Sequence, residues 1–286
     1  KLIKPLNEED IKKGNVINKK SLNSALDKIK KTYSDNGYPI VSIGNVDIAP
    51  TLTIQIYEGK LVKINISGLK TVPEEEALKH INIPKDKPIK NKNIQKSYQK
   101  LYESVYFSNI DLQPMTAYQP TDIILNWKLQ ERVVINNPVE AKKLEITGNS
   151  VFSKEELGEF PLELPEGKVN NYEVLKALDD AFKKYLLNGY SKVKFNSLGV
   201  ENETLTVEVE EGIVEEITIN GNTRTNPMVI RNRLRIDEGQ PYNQKLIDSS
   251  KRRILQLGYF NKAEPKTEDL GNGLKLAFDI KEKSRL

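Results

Sequence analysis

The sequence predicts an α+β chain of tandem β-α-α-β-β modules, each a three-stranded mixed sheet covered on one face by two helices. Two observations carry that prediction. Glycines Gly68, Gly148 and Gly221, each closing a short alternating segment, are followed 22 residues later by the second member of an apolar-polar pair: Ile89-Lys90, Val169-Asn170 and Tyr242-Asn243. A spacing held through such divergent residues marks internal repetition. Within each copy the hydrophobic period also changes from two to about 3.6 and back to two, the signature of strands flanking helices.

The elements follow in order. The first strand alternates at Val62, Ile64 and Ile66, at Leu144 and Ile146, and at Ile217 and Ile219. For the first helix, Pro73 and Pro227 suit the first helical position, and Ser153 with Glu156 forms a capping box. The second helix carries apolar residues on one face, as at Ile94, Tyr98, Leu101 and Val105 or Val174, Leu178, Ala181 and Tyr185. Gly37, Gly189 and Gly258 close it in three copies, where glycine adopts the left-handed cap. A hairpin completes the module. Its second strand alternates at Leu125, Trp127 and Leu129, at Leu205, Val207 and Val209, and at Leu274, Leu276, Phe278 and Ile280. This strand is the most apolar, so it is placed in the middle of the sheet with the other two as edges.

"GNVINKKSL" at Gly14 supplies a fourth pair, Ile17-Asn18, but counting back 22 residues runs off the chain. The predicted modules are 1–59, with its first strand missing or remodelled, then 60–131, 142–212 and 213–286. "IYEGKLVKI" and "VEEGIVEEI" join neighbours through Glu-Gly alone, which predicts tight coupling. Residues 132–141 are the predicted hinge linker, centred on Asn136, Asn137 and Pro138.

Composition narrows the function. The 286 residues suggest about two domains by length alone. No apolar run approaches the roughly 20 residues of a membrane helix. No signal peptide is evident, and the chain does not begin with Met, which marks a fragment or a processed product. Zero Cys excludes disulfides, thiolate catalysis and Cys-based zinc sites. His80 is the only histidine, so neither a triad nor a His-rich metal site can be assembled around it. The acids of "PEEEALKH" sit at a helix start, where they complement the dipole, and "LGNGLKL" fits a hairpin turn. No nucleotide, hydrolase or metalloprotease motif occurs. No GxxG loop stands between the helices, which argues against an RNA-binding KH reading. The expectation is a non-enzyme with no catalytic, cofactor or metal residues and no nucleic-acid partner.

Two features could bind. The hairpin's first strand reads "PIVSIGNV" in the first copy and "SKVKFNSL" in the third, without interior proline. Such an edge can accept an extended peptide through main-chain hydrogen bonds. The candidate residues are Val41, Ile43, Lys192, Val193, Lys194 and Phe195. The competing reading is that Lys192 and Lys194 merely protect an edge against aggregation. Copy two, with prolines in "DLQPMTAYQP", is a poorer acceptor. The second feature is arginine: seven of eight lie in the last copy. Residues 213–286 hold 14 basic and 10 acidic residues, the whole net charge of +4. Arg231, Arg233, Arg235, Arg252 and Arg253 are the candidate membrane- or partner-facing residues, because the guanidinium fork suits carboxylate or phosphate. Ion pairing with Asp237, Glu238 and Asp248 is the alternative.

The strand ending in Gly-Asn, the Glu-Gly-x-x-apolar-Asn turn and the helix closing on "LGYFNKAEP" resemble POTRA (polypeptide-transport-associated) domains, over nearly the whole chain. "GQPYNQKLIDSSKRRILQLGYF" at Gly239 is the most specific stretch and looks like the last such domain before a membrane barrel. The resemblance implies the periplasmic arm of an outer-membrane β-barrel assembly or translocation factor. The implied partners are unfolded outer-membrane clients, a C-terminal barrel of the same polypeptide, lipoprotein accessory subunits and anionic lipid head groups. A two-partner secretion transporter, an organellar import channel and a non-transport envelope scaffold remain open as alternatives.

Overall fold

A computed structural model describes residues 3–12, 14, 16–49, 51–162 and 167–284. The chain divides into two compact units, Lys1–Glu131 and Arg132–Leu286.

In the first unit the elements run α1 (Ile3–Glu8), α2 (Lys19–Asp35), β1 (Val41–Asp47), β2 (Thr53–Glu58), β3 (Lys60–Ser67), α3 (Glu74–His80), α4 (Asn91–Glu103), β4 (Phe107–Thr116) and β5 (Asp122–Glu131). In the second they run β6 (Lys143–Thr147), α5 (Lys154–Leu157), α6 (Asn171–Leu187), β7 (Lys194–Glu201), β8 (Thr204–Glu210), β9 (Val214–Asn220), α7 (Pro227–Arg231), α8 (Gln244–Leu255), β10 (Phe260–Asp269) and β11 (Leu274–Glu282). Three sheets share one plan, with strand orders β3-β5-β4, β6-β8-β7 and β9-β11-β10. The last strand of each module is central, parallel to the first strand and antiparallel to the second. The predicted α+β module is therefore the observed one.

The central position explains the apolar alternation. Leu125, Trp127, Leu205, Val207, Leu276 and Phe278 are all 0% exposed. Among the described residues, the sheet of the first module holds β1 and β2 alone. Without a neighbour on one side of β2, Leu52, Ile54 and Ile56 are only half-buried. Its helices pack as in the other modules, with Leu6 of α1 against Ile11, Leu22 and Ala25.

The recurring apolar-Asn pair has a local cause. Asn18, Asn170 and Asn243 are the N-caps of α2, α6 and α8, each accepting backbone N–H groups of the first turn. Val169 and Tyr242 immediately before are buried under the helix start. Lys90 takes this place in the second module and makes no side-chain cap. The Ser153–Glu156 capping box is present, and Pro227 stands at the start of α7 after Asn226 as cap. Pro73 is itself the cap residue of α3, one position earlier than predicted.

The first strand departs from simple alternation in two modules. In β3 the pairing with β5 shifts between Leu61 and Lys63, so Leu61 is 0% exposed while Val62 is 36% exposed. In β9 a shift falls at the same place, against Val214 and Glu216. Both strands leave a Gly joint, Gly59 or Gly212, with no linker, and the bulge re-aims the strand as it starts. β6 follows eleven residues after β5 and pairs without a shift.

The Gly joints are reinforced by helix-to-helix contacts. The Gly37 carbonyl, just past α2, accepts the Asn91 N–H of α4 at 2.8 Å. Past α6, the Gly189 carbonyl accepts the Gln244 N–H at 2.8 Å, the Asn188 carbonyl the Asn243 side-chain amide at 3.0 Å, and the Leu187 carbonyl Lys245 Nζ at 2.6 Å. Each joint thus sets the C-terminal end of one helix against the N-terminal end of the next, where the unpaired carbonyls and N–H groups satisfy one another.

Candidate functional site

Residues that close each module come first, because they fix the edges. The acid at or just after the end of the central strand folds back onto the loop following the first strand. Glu131 accepts the N–H groups of Lys70, Thr71 and Val72, and the Thr71 hydroxyl. Glu211 accepts the N–H groups of Ser150 and Val151 at 3.0 and 2.9 Å, the Ser150 hydroxyl, and the Tyr185 hydroxyl at 2.6 Å. Glu282 accepts the N–H groups of Arg224 and Thr225, the Thr223 hydroxyl and Arg224 Nε. Burial, then the hydrogen bond to Glu211, raises the Tyr185 hydroxyl pKa. The glycine before each loop is held at positive φ with its α-carbon against the central strand. A Cβ on Gly68 or Gly221 would sit 2.3 or 2.2 Å from the carbonyl oxygen of Leu129 or Ile280.

These carboxylate clamps escaped the sequence reading. Their signal is a nearly constant spacing from the post-strand glycine: 63 residues to Glu131, 63 to Glu211 and 61 to Glu282. Glu58 occupies the same place in the first module, where burial and then the Glu58 carboxylate raise the Tyr33 hydroxyl pKa.

The last clamp carries a pH dependence. The Arg224 guanidinium, aided by the Thr225 and Arg224 N–H groups, holds the Glu282 carboxyl at about 2, against 4.5 for a free carboxyl. A depressed folded-state pKa contributes stability that is complete above the unfolded value and lost as pH falls through the folded one. Amides of residues 213–284 are therefore expected to lose exchange protection between about pH 4.5 and about pH 2, and Glu282→Gln to flatten that part of the acid profile. An unchanged profile in Glu282→Gln would show that the clamp is not the acid-sensitive element.

The second strand of every module is a sheet edge among the described residues. β4 and β10 carry Pro114 and Pro265 within the strand, which removes a donor from each. β1 and β7 carry none. In β1 the candidates Val41 and Ile43 are half-buried, and pairing with β2 shifts after Ile43. β7 begins at Lys194, so Lys192 and Val193 precede the strand and are not edge residues. Helix α6 ends in a Gly turn that spends these residues on the joint: Val193 is 2% exposed, and Lys192 lies over the Tyr242 ring at 5.7 Å. Phe195 is a core residue at 6% exposure, and Lys194 pairs with Asp269 of the β10–β11 hairpin at 2.9 Å. A cavity of about 630 Å³ lies there, lined by Lys192, Lys194, Glu208, Asp269 and Leu274. The open part of β7 lies further along. Pairing shifts between Ser197 and Gly199, leaving Leu198 60% exposed, and Val200 is 39% exposed.

The predicted hinge also differs from expectation. Asn136, Asn137 and Pro138 are exposed, but the residues before them are anchored. The Asn171 side chain accepts the N–H groups of Val134 and Ile135 at 2.9 and 3.2 Å and donates to the Arg132 carbonyl at 2.8 Å. Val134 and Ile135 are buried, and Val139 pairs with Val169. A linker so tied belongs to the second unit, and the boundary between units falls between Glu131 and Arg132.

The arginines divide into two sets. Arg231 donates to the Ile217 carbonyl at 2.8 Å and faces Glu238 at 3.8 Å. Arg233, Arg235, Arg252 and Arg253 make no ion pair among the described residues, so the pairing alternative holds for Arg231 alone. Arg285 lies outside the described residues. Also among the described residues, no group of three or more His, Cys, Asp or Glu side chains could hold a metal ion. None of the described helices is long and apolar enough to cross a membrane.

Residues 213–283 match the POTRA family model, described as a surface antigen variable number repeat. A Treponema pallidum (strain Nichols) protein described as an outer membrane protein assembly factor is 25% identical over 289 residues, 89% of this chain and 34% of that protein. The chain thus spans about a third of that relative's length. Among solved structures, the N-terminal domain of Omp85 from Thermosynechococcus elongatus is 18% identical with a TM-score of 0.43, covering 79% of this chain and 98% of that one. POTRA1-3 of the periplasmic domain of Omp85 from Anabaena is 16% identical with a TM-score of 0.41, covering 79% and 96%. The last module is thus matched by the POTRA family model, and its strand order and carboxylate clamp recur in the two modules before it.

Proposed function

We propose that the chain is the polypeptide-binding arm of an outer-membrane β-barrel assembly machine, held on the periplasmic side, which receives unfolded outer-membrane proteins by strand addition. The observation that supports this is the open run Leu198–Glu201 of β7: an edge without proline, with two exposed apolar side chains. Main-chain pairing along such an edge tolerates many client sequences, and the apolar side chains add weak, non-specific grip. A short, bulged edge suits transient capture, because few hydrogen bonds must break for release. β1 is a second acceptor in the same reading. The modules are taken as 1–59, 60–131, 142–212 and 213–286, with the joint between the halves at Glu131–Arg132 in place of Asn136–Pro138. The client-accepting barrel on the same polypeptide and docked accessory subunits belong to this reading too, as does the absence of any covalent step.

Amide hydrogen exchange with and without an unfolded outer-membrane barrel peptide tests the proposal. At saturating peptide, exchange at Leu198–Glu201 is expected to slow at least about tenfold, the protection of an added strand. Leu198→Pro is expected to abolish the protection while circular dichroism stays unchanged. Protection confined to Val41–Asp47 would move the site to β1, and no protection at either edge would sink the reading.

A further inference from the structure

We propose that the α7–α8 face of the fourth module binds the anionic headgroups of a phospholipid bilayer. Arg233, Arg235, Arg252 and Arg253 have no carboxylate partner among the described residues, whereas Arg224 and Arg231 are spent on Glu282 and on Ile217 and Glu238. The nearby acids do not neutralise the four. Glu238 accepts the Ile217 N–H at 2.9 Å, Asp248 accepts the Gln244 amide at 2.9 Å, and Asp237 is exposed.

Geometry brings Arg235 and Arg253 to one flank, with Arg233 exposed two residues before Arg235. The Ser250 hydroxyl of α8 accepts the Arg235 N–H at 2.8 Å, so the loop after α7 lies against that side of α8. Leu246 and Arg253, four residues before and three after Ser250, stand on the same flank. Ile230 and Ile236 pack in one core with Ile247 and Ile254, which holds the α7 segment in place beneath. Leu246 on that flank is 38% exposed, and α7 exposes Met228 at 58% and Val229 at 38%. Arg252 is exposed on α8.

The fold does not require this charge. The positions of Arg252 and Arg253, nine and ten residues after the cap, are Asp27-Lys28, Gln99-Lys100 and Asp179-Asp180 in the other modules. Guanidinium forks suit phosphate oxygens, and apolar side chains interleaved with basic ones are the pattern of an interfacial surface. An acidic polypeptide would use the arginines but leaves Met228 and Val229 without a role. The inference rests on the proposed function only in placing the fourth module beside a membrane.

The test is co-sedimentation of the chain with vesicles of phosphatidylglycerol in phosphatidylcholine and with phosphatidylcholine alone. Binding is expected only with phosphatidylglycerol, falling as salt rises. Arg233→Gln, Arg235→Gln and Arg253→Gln combined are expected to weaken partitioning about a hundredfold, since each basic residue near an anionic surface is worth about a factor of five. The control removes equal charge from α4 with Lys92→Gln, Lys96→Gln and Lys100→Gln, and is expected to change binding little. Met228→Ser with Leu246→Ser is expected to weaken binding with the arginines intact, so a folding defect in the arginine variant would not leave the idea untested. No phosphatidylglycerol binding, equal loss in the α4 control, or displacement by inorganic phosphate but not by sodium chloride of equal ionic strength would overturn it. Edge protection by the barrel peptide without vesicle binding would sink this inference and leave the client-handling reading standing.

Discussion

Glu211→Ala is expected to destabilise the third module by about 3–5 kcal/mol, the cost of breaking a buried, charge-assisted network. Glu211 is 4% exposed and satisfies two backbone N–H groups and two hydroxyls at once. Alanine leaves the Tyr185 hydroxyl buried without its acceptor and removes the acceptor of the Ser150 and Val151 groups. It also frees the loop after β6, so the core loses the alignment of Tyr185, which packs edge-on against Phe152 and Tyr190. Glu211→Gln keeps one acceptor oxygen and is expected to cost roughly half as much. Urea denaturation followed by circular dichroism, with amide exchange over 142–212 to locate the effect, measures both. Equal stability of Glu211→Ala and the parent chain would mean the loop finds other partners, and the clamp would then be incidental.

Trp127→Ala is expected to cost the second module about 3–5 kcal/mol, the range for emptying a fully buried aromatic site. Trp127 is 0% exposed at the centre of β5, with the Tyr98 ring 5.0 Å away. Its indole N–H is buried without a hydrogen-bond partner among the described residues. Phenylalanine removes that unsatisfied donor while keeping most of the contact surface, so Trp127→Phe is expected to cost far less, about 1 kcal/mol or under. Denaturation must be read by circular dichroism, because Trp127 is the single tryptophan. A cost for Trp127→Phe as large as that for Trp127→Ala would show that shape alone governs the site.

What could be read from the sequence was whatever leaves a periodic or local chemical trace. The central strand announced itself because both neighbours and two helices bury one face, forcing alternation at Leu205, Val207 and Val209. The helix starts were visible because Asn170 and Asn243 sit beside the N–H groups they cap. The clamps were not visible, because Glu131 and Glu211 bond to backbone groups some 60 residues away and require no matching side chain there. The bulge at Val62 was hidden because an inserted residue leaves the apolar count unchanged and only moves which residue points inward. Of the edge candidates, Lys192 and Val193 were misplaced because the Gly189 turn and the packing of Tyr242 consume residues that sequence alternation assigns to the strand. The linker looked free because Asn-Asn-Pro is polar. Its anchor, Asn171, lies inside the next helix and carries no sign of that second task.

The Gly59 and Gly212 joints have a consequence for how such chains grow. A last strand that passes into the next first strand across one to three residues has little slack. An added residue there would flip the following strand face for face, and the helix ends that meet at Gly37 or Gly189 would no longer touch. Lengthening or shortening this chain by a single residue at either glycine joint is therefore ruinous, because strand register and helix contact are lost together.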